Sequence, residues 1–266
     1  MHDCAINPNT IFDIIKKAMK GTLRDIYLFD GDPREKIQAE YLFTVNVAKT
    51  LTERSQQSGE PFKIRLEKKT GPLIKDCFPI SRIERASMFE KSKIISTAIS
   101  YNALEFRHGR VDIAVYKNND AQSSLGDRED SPLCVIELKA FNPSKVNILK
   151  DLERNIALLN LKANTGNNAL TFTVFSSFEW FDELEIDNDE EHIQKALRKY
   201  QKIIDSLRLD DELIEAKLDI FPVKKSHGDV YSNFEYNNGV VEDLSEIDPS
   251  TKHHYIGVII TFRKIN

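Results

Sequence analysis

Cysteine, glycine, proline and tryptophan are all scarce in this chain: of 266 residues, 3 are Cys, 10 Gly, 9 Pro and 1 Trp. Cys4, Cys77 and Cys134 are odd in number and widely spaced, which excludes a disulfide framework and any zinc-type ligand spacing. So little Gly and Pro excludes collagen-like, mucin-like and low-complexity chains. No apolar run approaches the roughly 20 residues of a membrane helix; the longest, Tyr255 to Phe262, is strand-sized. Positive charge is not in excess either. Lys and Arg number 37 against 42 Asp and Glu, a net charge of −5, which argues against a surface wholly given over to phosphate backbones. Any nucleic-acid contact must be local. Basic residues do cluster, at Lys63, Arg65, Lys68 and Lys69 and at Arg82, Arg85, Lys91 and Lys93, while Asp182 to Glu191 is a block of acids that phosphate would avoid. Met1-His2-Asp3-Cys4 has no basic start leading into an apolar stretch. The expectation is a reducing cytoplasm and no membrane association.

What is present is an ordinary globular composition, 41% apolar and 30% charged, in a chain long enough to bury a core without staples. Asn9 or Thr10 can cap a short helix through Lys20 that Gly21 closes, and Asp32-Pro33 with Glu35 signals a second helix to about Arg54. On the second helix Ile37, Tyr41, Thr44, Val45, Ala48 and Leu51 recur at helical spacing and should face the core. Glu40 lies among them, so its carboxylate points toward the buried side or its margin, a costly placement unless a cation holds it. Lys36, one turn earlier, is one such cation.

Phe62 to Lys68 alternates like a strand, and Arg82 to Ser100 reads as a helix. Arg110 to Tyr116 and Leu133 to Phe141 are short, apolar and β-branched, hence two strands, joined by the polar stretch Asn118 to Pro132 and expected to pair antiparallel. A helix from about Ser144 to Leu161 follows, with Val146, Leu149, Leu152, Ile156 and Leu159 as its apolar stripe, then a buried strand at Ala169 to Phe175. A helix near Glu190 to Leu207 and strands at Leu218 to Val223 and Tyr255 to Arg263 complete the chain. Without repeats or a persuasive linker, residues 1–266 read as one α/β domain.

Side chains alternate across a strand, so Glu137 and Lys139 share one face while Ile136 and Leu138 share the other, and Asp112 points away from Val111, Ile113 and Val115. If the two strands pair, an acid on one approaches an acid and a lysine on the next. Two carboxylates and a backbone carbonyl are hard oxygen donors of the kind Mg²⁺ takes. A lysine beside them can hold a water or a transition-state oxygen. Glu-x-Lys alone says little, since Glu67-Lys68-Lys69 and Glu215-Ala216-Lys217 satisfy it too. Glu137-Leu138-Lys139 differs in lying within an apolar strand, with an acid-bearing strand upstream and a helix downstream. The alternative is a half-exposed strand with Glu137 and Lys139 on its solvent face and Asp112 paired with Arg110.

Arg110-Val111-Asp112 followed by Ile136-Glu137-Leu138-Lys139, with an acid on a preceding helix, resembles the PD-(D/E)xK nuclease superfamily, the restriction-endonuclease-like proteins. The resemblance spans about residues 30–178 and leaves the portion from about 183 to 266 as a C-terminal elaboration. It implies a core of helix, three strands, helix and strand, with helices flanking a mixed sheet. It implies Asp112 and Glu137 as ligands of Mg²⁺ or Mn²⁺, Lys139 as the catalytic lysine, and Glu40 as the helix acid that supports the metal. Val111 stands where the motif's name has proline. Lys150 and Arg154, on the helix after the motif, are the candidates for substrate contact, or else the solvated side of an amphipathic helix. The implied activity is metal-dependent hydrolysis of DNA, as in a bacterial restriction or anti-phage defence effector borrowing specificity from a partner protein or a second copy. The alternatives are a catalytically inactive nuclease-like assembly protein and a ribonuclease on the same scaffold.

His108, His227, His253 and His254 lack zinc spacing. The aromatic stretch Phe172, Phe175, Phe178, Trp180 and Phe181 reads as core followed by a partly buried exit loop, and Cys134 as an inert buried thiol. No Gly-rich phosphate loop and no Gly-x-Ser-x-Gly turn is present.

Overall fold

A central sheet is assembled from segments far apart in the chain, as the computed structural model shows. It describes residues 7–30, 39–59, 61–78, 109–118, 131–161, 168–181, 189–207, 209, 213–225, 229–231, 234–237, 240–243, 246–248 and 254–265. The helices are α1 (Pro8–Asp30), α2 (Ala39–Gln57), α3 (Thr70–Asp76), α4 (Lys145–Leu159) and α5 (Asp189–Asp205). The strands are β1 (Phe62–Lys69), β2 (Arg110–Lys117), β3 (Pro132–Phe141), β4 (Phe172–Phe181), β5 (Ile214–Lys225), β6 (Asp229–Tyr231), β7 (Phe234–Asn237), β8 (Val240–Asp243), β9 (Glu246–Asp248) and β10 (His254–Lys264).

Six strands form one mixed sheet in the order β1-β2-β3-β4-β10-β5, while β6 with β9 and β7 with β8 form two small ladders. β1, β2 and β3 run antiparallel in succession, β4 lies parallel to β3, and β10 is antiparallel to both β4 and β5. A parallel pair needs a crossover, and α4 lies within the one from β3 to β4. The sheet is covered on both sides. Ile113, Val115, Cys134, Ile136 and Leu138 pack with residues of α1 and α2, whereas Ala114, Tyr116, Val135 and Phe175 pack with α3, α4 and α5. Burial on both faces explains why β3 and β10 are near-continuous apolar runs. No helix among the described residues is long and apolar enough to cross a membrane.

Several expectations need correcting. The first helix does not stop at Gly21 but runs from Pro8 to Asp30, with Asn7 accepting the Thr10 backbone N–H at 2.9 Å as its cap. Leu23 and Ile26 continue the buried stripe beyond Gly21, and that burial outweighs the roughly 1 kcal/mol helix cost of a glycine. On α2 the core face is Phe43, Thr44, Val47, Ala48, Leu51 and Ser55, leaving Tyr41 and Val45 exposed. The Phe43 ring lies 4.8 Å from that of Phe178, so contact with β4 rotates the buried stripe away from Tyr41. On α4 Val146 is exposed and Ile148 takes the core position, because the first turn projects beyond the sheet's apolar face. β4 continues through Trp180 and Phe181, where an exit loop was expected, because β10 pairs with it out to His254↔Phe181. The polar stretch before the last strand carries β6 to β9. The helix expected at Arg82 to Ser100, the start signal at Asp32-Pro33, Ile37, Lys36, His108, His227 and His253 lie outside the described residues.

Candidate functional site

β2 and β3 pair from Ile113↔Ile136 to Tyr116↔Pro132, and the paired register ends there. On the other side of β3 the ladder with β4 continues through Lys139↔Ser177 and, after a register shift, to Phe141↔Phe178. Leu138 is therefore held to β4 while its N–H on the β2 side needs an acceptor. The Asp112 carboxylate supplies it, with Oδ2 taking the Leu138 N–H at 2.7 Å. A side chain stands in for a rung of the sheet, and the first acid is fixed against the strand bearing the other two motif residues.

Glu137 shares the face of Val135 and turns toward α4, where it is 1% exposed, and its Oε1 lies 2.7 Å from Arg154 Nη2. This ion pair is off hydrogen-bond geometry, so Oε1 is a buried carboxylate oxygen without a hydrogen bond. Arg154 Nη2 also donates to Asp151 Oδ1 at 2.7 Å. Asp151 is itself buried, and its Oδ2 is 3.4 Å from Lys139 Nζ, again without a hydrogen bond. Lys139 Nζ donates to Glu40 Oε1 at 3.1 Å and to the Leu138 carbonyl at 3.2 Å. Glu40, in the first turn of α2 and half-exposed, reaches the cluster from the end of the sheet.

The sheet's end thus brings together Glu40, Asp112, Glu137 and Lys139, with Asp151 and Arg154 added from α4. Glu40 is balanced by Lys139. Lys150 is exposed on α4 and joins no ion pair among the described residues of the site, whereas Arg154 is 18% exposed and turned inward onto Glu137 and Asp151. Of the two candidates for substrate contact, Lys150 lies on the solvated side of the helix and the Arg154 guanidinium contacts two acids of the site. The local signal for Asp151 is slight: an acid three residues before an Arg, on a helix face that also buries Asn155.

The electrostatics follow from crowding. Burial above all pushes Asp112 up to about 6, opposed by the Leu138 N–H and by Lys139 and reinforced by Glu40 and Glu67. Burial likewise drives Glu137 well above the usual carboxylate range, with Arg154 opposing and Asp112 and Asp151 adding to the rise. At Lys139 desolvation is the largest single influence and acts downward, yet Asp151, Glu40 and Asp112 together outweigh it, so the ammonium holds its proton more tightly than usual. Glu67, dismissed in the sequence as one of several Glu-x-Lys matches, faces Asp112 across β1 and β2, between Leu66↔Ile113 and Lys68↔Val111. Its φ of 50° is the left-handed conformation that a non-glycine residue seldom adopts, and its Oε2 lies 3.9 Å from Arg110 Nη1.

Among the described residues no group of three His, Cys, Asp or Glu side chains is assembled so as to hold a metal ion by itself. The donor chemistry nevertheless suits Mg²⁺ or Mn²⁺. Asp112 and Glu137 are hard oxygen donors, Glu137 Oε1 is a buried acceptor with no hydrogen bond, and Mg²⁺ commonly uses only one or two protein carboxylates while keeping waters. Elsewhere His254, buried on β10, directs Nδ1 to Asp189 at 2.8 Å, and Cys134 is wholly buried with its thiol pKa pushed up by desolvation. No protein-family model, no curated protein and no solved structure matches this chain.

Proposed function

We propose that this chain is a divalent-metal-dependent phosphodiesterase that hydrolyses DNA. The observation carrying this reading is the meeting of Glu40, Asp112, Glu137 and Lys139, drawn from one helix and two strands, at one end of the sheet. The element order adds support: α2, β1, β2, β3, α4 and β4 supply helix, three strands, helix and strand, with α3 and residues 79–108 between β1 and β2.

Asp112 and Glu137 would hold the ion, which would supply positive charge against the phosphodiester and acidify a bound water. Lys139 stays protonated, so it acts as a fixed cation and donor to the attacking water or to the oxygen that gains charge, and not as a base. Glu40 and Asp151 grip the same ammonium from two sides and limit its rotamers. A second reading, a nuclease-like assembly protein without catalysis, is favoured by the Arg154 guanidinium 2.7 Å from Glu137 Oε1, which already balances the carboxylate that would hold the ion.

Purified chain incubated with Mg²⁺ or Mn²⁺ and with plasmid, linear duplex, single-stranded DNA and RNA side by side tests both. The expected result is DNA cleavage that falls at least about 100-fold in Lys139→Ala and in Glu137→Ala, with circular dichroism unchanged. Full activity in both variants defeats the assignment. Neither Mn²⁺ binding nor cleavage of any substrate by the unaltered chain supports the assembly protein, and cleavage confined to RNA makes the substrate RNA.

A further inference from the structure

A buried guanidinium already neutralises the oxygens that a divalent ion would need. Arg154 Nη2 lies 2.7 Å from both Glu137 Oε1 and Asp151 Oδ1, and Glu137 is 1% and Asp151 5% exposed. Arginine does not release its proton in proteins, so this positive charge is permanent. Its two contacts differ. The bond to Asp151 has good geometry and joins residues three apart on one helix, whereas the contact with Glu137 crosses from α4 to β3 and lacks hydrogen-bond geometry. The weaker of the two holds the carboxylate assigned to the metal. Asp151 also contacts Lys139, so one buried acid tethers both cations of the site.

We propose that Arg154 is the site's resident counter-ion, and that a divalent ion loads by displacing it from Glu137 while Asp151 retains it. Asp151 is then a positioning residue that keeps the displaced guanidinium and the Lys139 ammonium in place. This inference rests on the metal-dependent reading and deepens it, because the internal cation competes with the external one and sets the metal concentration at which the site fills. A guanidinium and a divalent ion cannot share Glu137 Oε1 at contact distance, since like charges in a desolvated site repel strongly.

Mn²⁺ binding to the full chain, measured by calorimetry and by the loss of the free-ion electron paramagnetic resonance signal, is the test. Arg154→Met keeps the length and apolar stem of the side chain and removes its charge. Lys competes as a single donor without the planar fork. The metal affinity should rise at least about tenfold in Arg154→Met, the scale of a charge-assisted hydrogen bond, and by a smaller factor in Arg154→Lys. Titration at alkaline pH limits competition from a proton at Glu137. Should Arg154→Met fail to fold, Arg154→Lys carries the test alone, since its charge remains to balance the acids. Unchanged or weaker Mn²⁺ binding in the folded variants overturns the counter-ion role while leaving the metal site intact. An absence of Mn²⁺ binding in the unaltered chain and in every variant instead overturns the metal-dependent reading and this inference with it. A third variant, Asp151→Asn, should widen the difference between Arg and Met at position 154, because the guanidinium then has no second acid to receive it and holds Glu137 more tightly; a difference that does not widen refutes the tethering role.

Discussion

Replacing Glu137 with Gln is expected to abolish metal binding without destabilising the fold, a combination that a purely structural carboxylate would not give. Glu137 is 1% exposed and its pKa lies well above the usual carboxylate range, with burial as the main cause. Folding therefore works against its ionised form, and Gln has nearly the shape of the protonated acid. What the substitution removes is the pairing with Arg154, but that guanidinium keeps its 2.7 Å bond to Asp151, so no cation is left wholly unpaired. Removing one partner of a buried ion pair costs about 3–5 kcal/mol when it strands the other charge. Here Asp151 still holds Arg154 and burial already disfavours the Glu137 carboxylate, so the two effects offset each other to within about 1 kcal/mol. A change of about 1 kcal/mol corresponds to roughly 2–4 °C in Tm for a chain of this size. Differential scanning calorimetry should therefore show Tm within a few degrees of that of the unaltered protein, while Mn²⁺ titration shows at least about a 100-fold loss of affinity. A loss of more than about 2 kcal/mol with Mn²⁺ affinity and cleavage intact would falsify the assignment of Glu137 as a ligand and make it a structural partner of Arg154.

Asp112, raised on folding from 3.8 to about 6, binds its proton more tightly in the folded chain. Its contribution to stability is then complete below the unfolded value and is lost as pH rises through about 6, at most about 3 kcal/mol. Urea melts of the unaltered chain and of Asp112→Asn should therefore diverge across this window, and Mn²⁺ should reverse the slope by favouring the carboxylate; identical pH profiles refute the shift. At Gly257, on β10, an added Cβ would lie 2.6 Å from the Phe221 ring and 2.7 Å from Met19 Sδ, so Gly257→Ala should cost about 1–3 kcal/mol by overpacking, read by chemical denaturation, and a neutral result would show that Phe221 and Met19 repack freely. Lys150→Ala, an exposed change outside the ion pairs of the site, should leave Mn²⁺ affinity unaltered, and a large effect would bring Lys150 back to the metal site.

The sequence by itself determined the elements whose character is written in short-range pattern. Strands β2 and β3 were legible because β-branched apolar runs buried on both faces have few alternatives, and α4 because Ser144 caps it and Leu152, Ile156 and Leu159 recur at helical spacing. The alternation along β3 also placed Glu137 and Lys139 on one face. Where two apolar stripes competed, as on α2, sequence favoured Tyr41 and Val45, and contact of Phe43 with Phe178 of β4 decided otherwise. Gly21 read as a stop because local propensity disfavours it, whereas burial of Leu23 and Ile26 carried α1 past it. Only the tertiary structure decided what each site residue touches. Glu40 and Lys139 meet across 99 positions of chain, Asp112 replaces a rung of the sheet, and Asp151 with Arg154 forms part of the same charge network. Those outcomes depend on where the β2 and β3 ladder ends and how α4 crosses the sheet, long-range facts of packing that no local spacing encodes.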